Sequence, residues 1–196
     1  MMKRIGLAFA GLGVGVAPAF AHLNPAEHGS FAAGFSHPLF GFDHILAMVA
    51  VGLWAALLAR GTDRRAVWLV PAAFVGTMLA GFGAAMLGAP LPVVEPVILA
   101  SVVAIGLLAA VALSVPTVAA MAMVGFFAFF HGHAHGGELG EAGAWQFAIG
   151  FAAATALLHA AGVLLGIGLG SRYGQVAARA AGALTAAGGL WLAFAG

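Results

Sequence analysis

An all-α, polytopic membrane protein with six transmembrane helices is the fold that this sequence predicts, and three observations predict it. Hydrophobic residues make up 63% of the 196 residues and charged residues only 7%, too few charges to cover the surface of a soluble domain. Apolar runs recur along the chain, most of them near the ~20 residues that a helical bilayer crossing needs. Apart from Lys3-Arg4, the basic residues cluster beside two of the connections between those runs, as the positive-inside rule leads one to expect of a multi-pass protein.

The elements follow in order. Lys3-Arg4 is a basic n-region, Ile5 to Val16 a short apolar stretch, and Ala19-Phe20-Ala21 an A-x-A cleavage signal; together they predict a secretory signal peptide over residues 1–21. The mature chain, 22–196, then begins at His22, where a free α-amine beside an imidazole offers a metal two nitrogens. Six apolar spans follow, Phe40–Ala59, Val67–Leu87, Val93–Leu113, Thr117–Phe130, Trp145–Leu169 and Val176–Ala195. The fourth is short unless it runs on through His131–His135. Only Ser114-Val115-Pro116-Thr117 separates the third from the fourth, and Pro116 suits either a turn or a kink. Charge favours the turn. Arg60, Arg64 and Arg65 lie between spans one and two, and Arg172 and Arg179 flank the junction of spans five and six. Placing both on the cytoplasmic side requires an even number of crossings between them. A split at Pro116 gives four; a kinked single helix gives three. With that topology the His22–His44 region, the Gly88–Glu95 loop and the His131–Glu141 loop share the outer face.

Composition narrows the chemistry. Cys is absent, which excludes disulfides, thiolate zinc sites and iron–sulfur clusters. A metal must be held by N and O donors, which suits Ni²⁺, Co²⁺, Zn²⁺, Cu²⁺ or Fe²⁺ better than Cu⁺. A formal charge of +1 with no basic run gives no footprint for nucleic acid. The partners this predicts are a lipid bilayer and a metal ion.

Eight histidines stand in this otherwise apolar chain, five of them in two clusters: His37-Pro38-Leu39-Phe40-Gly41-Phe42-Asp43-His44 and His131-Gly132-His133-Ala134-His135-Gly136-Gly137-Glu138. Ionisable side chains at a membrane are costly unless a metal, a proton path or a partner uses them. Pro38 suits the first turn of a helix capped by Ser36 or His37. His37 and His44 are then two turns apart on one face, and Asp43 diverges by ~100°, which makes it an orienting partner for an imidazole unless the helix start is irregular. His131 and His135 are i, i+4 and can chelate one ion; Glu138 joins them only if Gly136-Gly137 does not end the helix. His133 is either a ligand or a loop histidine. Glu95 is either an ordinary acid at a helix start or a completing ligand. His159, in span five, is either a buried imidazole bonded to Thr155 or a carbonyl, or a relay ligand on an ion's path. Glu27 and His28 read as solvated. Gly162, Gly166 and Gly170 form a small-residue ladder for close helix contact.

At His37-Pro38-x-x-Gly41-x-Asp43-His44 and at Phe130-His131-Gly132-x-Ala134-His135-Gly136-x-Glu138 the chain resembles the HupE/UreJ family of hydrogenase and urease accessory membrane proteins. The signal peptide ending before His22, Glu95 and Leu158-His159-x-x-Gly162 support the likeness, which covers essentially the whole mature chain. The resemblance implies a nickel permease, with cobalt in some members, a link to hydrogenase or urease maturation proteins, and handling of the ion by the histidines and acids of the two motifs.

The expectation is therefore Ni²⁺ uptake through the bacterial inner membrane, with a periplasmic capture site of His22, His37, Asp43, His44, His131, His135 and Glu138, less securely Glu95 and His133, and with His159 deeper. No G-x-x-x-x-G-K-[ST] motif is present for ATP hydrolysis. Two other classes compete. A protein that holds or senses metal on the outer face without transporting it carries the same capture site. An intramembrane metalloenzyme needs a base beside its metal, and no H-E-x-x-H sequence occurs, so the chain is not read as an enzyme.

Overall fold

The structure, a computed structural model, describes residues 30–61, 63–136, 143–168 and 172–195. Among them are seven helices and no strands: α1 (Phe31–Phe40), α2 (Phe42–Leu58), α3 (Ala66–Met86), α4 (Val94–Ala110), α5 (Thr117–Gly136), α6 (Ala144–Gly168) and α7 (Arg172–Ala195). The predicted signal peptide, His22, Glu27, His28, Glu138 and Gly170 lie outside the described residues.

Four helices (α3, α5, α6 and residues 174–194 of α7) are long and apolar enough to cross a bilayer, and a fifth is added if α1 and α2 count as one broken span. α4, at 17 residues, is ~25 Å long and ends tightly. Val93 and Ala112, at its two ends, have φ of 57° and 51°, left-handed conformations that cost about 1–3 kcal/mol each in non-glycine residues. The split after α4 stands: residues 113–116 are non-helical and α5 begins at Thr117. α5 also runs on through the second histidine cluster, which removes the shortness of the fourth span.

The first span differs from its expectation. Ser30, rather than Ser36 or His37, caps a helix that starts well before Pro38; its side chain accepts from the Ala33 N–H at 3.0 Å, and Pro38 lies inside α1. The chain then breaks at Gly41 and turns through 83° into α2. A single straight helix from His37 to His44 is thereby replaced by a corner.

α2 is the central element. It touches α1, α3, α4, α6 and α7, and 11 of its 17 residues are buried, so the side chains it carries are held on every side. In lipid the association of such helices rests on close packing rather than on the hydrophobic effect, and glycines provide it. A Cβ at Gly52 would overlap the His159 carbonyl, and one at Gly162 the Val49 carbonyl, fixing α2 against α6. Cβ atoms at Gly81, Gly132 and Gly136 would overlap carbonyls of Phe129, Met78 and Phe82, fixing α3 against α5. Gly106 and Gly182 bring α4 and α7 together in the same way. The predicted ladder is half of this: Gly162 and Gly166 both face α2.

Register in these contacts makes α2–α6 and α3–α5 parallel pairs and α4–α7 an antiparallel one, so α2 to α7 alternate in direction. Among the described residues, the arginines collect at one end of the bundle. Arg60 donates to the Gly166 carbonyl, Arg179 to the Ala110 carbonyl at 2.7 Å, and Thr117 to Asp63 at 2.8 Å. The Thr117 hydroxyl and then the Arg65 guanidinium, both hydrogen-bonded to it, hold the Asp63 carboxyl below its usual range. Trp68 is exposed at this end, while Trp145 and Trp191 are exposed toward the other, the places where aromatic side chains meet a membrane interface. Trp54 is instead fully buried and donates its indole N–H to the Leu113 carbonyl at 2.9 Å, tying α2 to the α4–α5 turn. Replacing Trp54 by Phe is expected to cost about 1–3 kcal/mol through lost packing and an unpaired carbonyl, read as a lower unfolding midpoint in detergent.

Candidate metal centre

The end of the bundle opposite the arginines holds His37, His44, His131, His133 and His135. The corner at Gly41 sets His37 in the last turn of α1 and His44 in the first turn of α2, and the end of α5 brings His135 between them. His37 and His135 have ring centroids 4.3 Å apart, His37 and His44 5.2 Å, and His44 and His135 5.1 Å. One nitrogen from each of the three lies within 4.8 Å of the others, close enough to converge on a single ion. His44 and His135 are buried and His37 is partly so. Phe151 of α6, 1% exposed, touches all three rings, at 5.8, 5.9 and 5.0 Å, and closes the site on one side.

Hydrogen bonds fix which nitrogens are available. His44 Nδ1–H donates to Asp43 Oδ1 at 2.9 Å, which leaves the Nε2 lone pair pointing inward, 2.9 Å from His135 Nε2. Without a metal, His135 Nε2–H donates to His44 Nε2; with one, both nitrogens present lone pairs to it. Asp43 thus makes the hydrogen bond of an orienting partner, and its carboxylate lies outside the group of three convergent nitrogens. Gly41 makes room for this pair, since a Cβ there would come within 2.6 Å of His44 Nδ1. Asp43→Asn is expected to weaken divalent-metal binding by about 10–100-fold with the fold intact, measured by calorimetric titration of the purified protein.

The second cluster divides. His135 joins the centre. His131, one turn earlier on α5, has its ring 5.4 Å from His44 but is held by Ser101 of α4. The Ser101 hydroxyl donates to the Ile98 carbonyl at 2.5 Å and so accepts from His131 Nε2–H at 2.9 Å. His131 Nδ1 is left buried without a hydrogen-bond partner. His133, on α5 rather than in a loop, points away from the three histidines and donates to the Ala89 carbonyl at 2.7 Å. Glu95 is exposed in the first turn of α4, at the same end of the bundle but outside the histidine group. His159 does not take the ordinary buried arrangement: neither ring nitrogen has a hydrogen-bond partner, and Thr155 instead directs its hydroxyl to Met78 Sδ at 3.8 Å.

The residues that sequence reasoning did not find are Ser101, Phe151 and Phe74. Ser101 carried a signal, a hydroxyl inside an apolar span. The two phenylalanines carried none among the fifteen in the chain.

An all-helical membrane protein whose buried histidines converge at one end of the bundle is the class that this fold and site define. Within that class the family can be given. The family model described as HupE / UreJ protein matches residues 10–192, and the chain belongs to that family. It is 45% identical, over 178 residues, to "Protein HupE" of Rhizobium leguminosarum bv. viciae, covering 88% of this chain and 89% of that one. No solved structure matches it.

Proposed function

We propose that the protein is a permease that takes up Ni²⁺ across the bacterial inner membrane. The observation that carries this reading is the convergence of His37, His44 and His135 from three helices at the end of the bundle remote from the arginines. In this reading six crossings follow removal of residues 1–21, with α1 and α2 forming one broken span and α4 a short one. The arginine end is cytoplasmic by the positive-inside rule, which puts the histidine centre on the periplasmic side. A broken helix lining a polar site, buried within the bundle, is how irregular backbone is accommodated at membrane depth.

Nickel enters as substrate. Imidazole nitrogens suit Ni²⁺, Co²⁺, Zn²⁺ and Cu²⁺ alike, with Cu²⁺ favoured on affinity alone, so family membership rather than the donor set supports nickel. Glu138, two residues beyond the end of α5, and His22, at the mature terminus, are assigned to the capture of incoming ion beside the three histidines. Glu95 has the same assignment, since it stands at the same end. A divalent ion moving inward gains ~4.6 kcal/mol per 100 mV of inside-negative potential, enough to drive entry without ATP. Three neutral ligands, rather than a closed set of four, hold the ion loosely enough to release it. The protein serves hydrogenase or urease maturation by supplying the metal, and acts as a carrier rather than an enzyme.

The test is ⁶³Ni²⁺ uptake by proteoliposomes of the purified protein with Co²⁺, Zn²⁺ and Cu²⁺ as competitors. Saturable uptake with nickel preferred over zinc is expected. Nickel that binds without entering would identify a metal-holding protein instead.

A further inference from the structure

Among the described residues, the buried side-chain nitrogen and oxygen atoms without a hydrogen-bond partner are three: His131 Nδ1, His159 Nδ1 and His159 Nε2. An unpaired buried polar atom costs about 1–3 kcal/mol, and several together in a native fold call for a group that uses them. These three are not scattered. Both rings lie against Phe74 of α3, His159 in a T-shaped contact at 4.9 Å and His131 at 5.8 Å. His131, Phe74 and His159 are each at most 1% exposed.

The surroundings of His159 are built with care for its position and none for its nitrogens. Gly52 of α2 packs onto its carbonyl, which sets the height of α6. Thr155, one turn earlier on the same face of α6, and Met78, one turn after Phe74 on α3, are both fully buried and meet each other at 3.8 Å. Thr155 and Met78 are thus packed together beside the Phe74–His159 contact, where α3 meets α6. His159 also lines an otherwise apolar groove of about 450 Å³ between α3 and α6. His131 links Phe74 to the outer centre, its ring lying 5.8 Å from Phe74 and 5.4 Å from His44.

We propose that His159 is a second, inner station for the divalent cation, reached from the three-histidine centre by way of His131 Nδ1, with the Phe74 ring as the barrier between His131 and His159. The proposal rests on the transport reading above. Ser101 fixes the His131 tautomer so that its free lone pair is Nδ1. An ion leaving His44 and His135 exchanges onto His131, and reaches His159 when Phe74 swings aside. Stepwise exchange between sites of few ligands lets the ion leave as readily as it enters.

The native chain has no cysteine, so the His159→Cys substitution places a single thiol at the inner station. The full-length protein is titrated with Co²⁺ in detergent and then assayed for ⁶³Ni²⁺ uptake in proteoliposomes. The outer centre of the His159→Cys protein is expected to fill as in the wild type. Filling is expected to bring a sulfur-to-cobalt absorption band and to slow alkylation of the thiol by a small permeant reagent at least about tenfold. His159→Ala is expected to lower uptake by a similar factor while outer-centre occupancy stays the same; where that variant does not fold, the thiol readouts decide. A filled outer centre with no cobalt–sulfur band and unchanged alkylation overturns the inner station alone. An outer centre that takes up no metal in the wild-type protein overturns the transport reading and the inner station with it.

Discussion

Replacing His44 by alanine is expected to lower the affinity for a divalent metal by more than about 100-fold, beyond the 10–100-fold typical of losing an orienting partner. His44 occupies the centre of the arrangement. It stands 5.1–5.4 Å, ring to ring, from His37, His131 and His135, and its Nδ1–H engages Asp43. The substitution deletes a convergent nitrogen, leaves the Asp43 carboxylate without that partner, and empties space in front of Phe151. Removing His37 takes away a ligand of the same kind from a site otherwise intact, so its effect should be smaller. His133→Ala, at a residue engaged with the Ala89 carbonyl, should leave affinity within a few-fold. Isothermal titration of the three variants gives the ranking directly. Equal losses for His44 and His133 would contradict the assignment of ligands.

The second large effect requires no change to a ligand. Gly132→Val should unfold or dissociate the α3–α5 pair, since a Cβ at Gly132 overlaps the Met78 carbonyl and approaches Phe82 N at 2.9 Å. These are backbone atoms that cannot step aside as a side-chain end can. Overpacking of an ordinary core costs about 1–3 kcal/mol, and a backbone clash between two helices should reach or exceed the top of that range. Gly132 lies one residue after His131 and three before His135, so separation of the helices also withdraws His135 from the centre. Gly76→Ala is the control. Nothing lies within 4 Å of a Cβ there, and the protein should stay as stable and as active as the wild type. Thermal unfolding in detergent with size-exclusion profiles reads both. A Gly132→Val protein as stable as the Gly76→Ala protein would show that the α3–α5 contact is looser than described.

How much of this was legible in the sequence depends on the kind of signal. Helix positions were legible because hydropathy reports burial in lipid segment by segment, and α3, α5 and α6 fall close to the predicted spans. The split before Thr117 was legible from arginine placement, which counts crossings even where Pro116 by itself is ambiguous. The pairing of His135 with the first cluster was legible from the scarcity of ionisable residues, since in so apolar a chain those present tend to meet. The corner at Gly41 was not. Two turns of helix between His37 and His44 give a sensible shared face, and only the packing of α1 onto α6, through Gly34 and Gly150, turns α1 away from the axis of α2. The separate fate of His131 was equally hidden. Its i, i+4 spacing with His135 is sufficient for chelation, but Ser101, thirty residues earlier, claims one nitrogen. His133 illustrates the limit of local motifs. It stands within histidine-rich sequence, yet its ring engages the Ala89 carbonyl in the turn after α3 rather than the other histidines.

The central claim is that a metal ion crosses the bundle by way of the three-histidine centre. The most direct measurement is ⁶³Ni²⁺ accumulation in sealed proteoliposomes under an imposed inside-negative potential, with wild-type and His44→Ala proteins compared at equal protein density. Saturable accumulation by the wild type that rises with the potential and falls to the level of empty vesicles in the His44→Ala protein is the predicted result. Equal accumulation by both proteins, or nickel bound by the wild type with none inside, would contradict it.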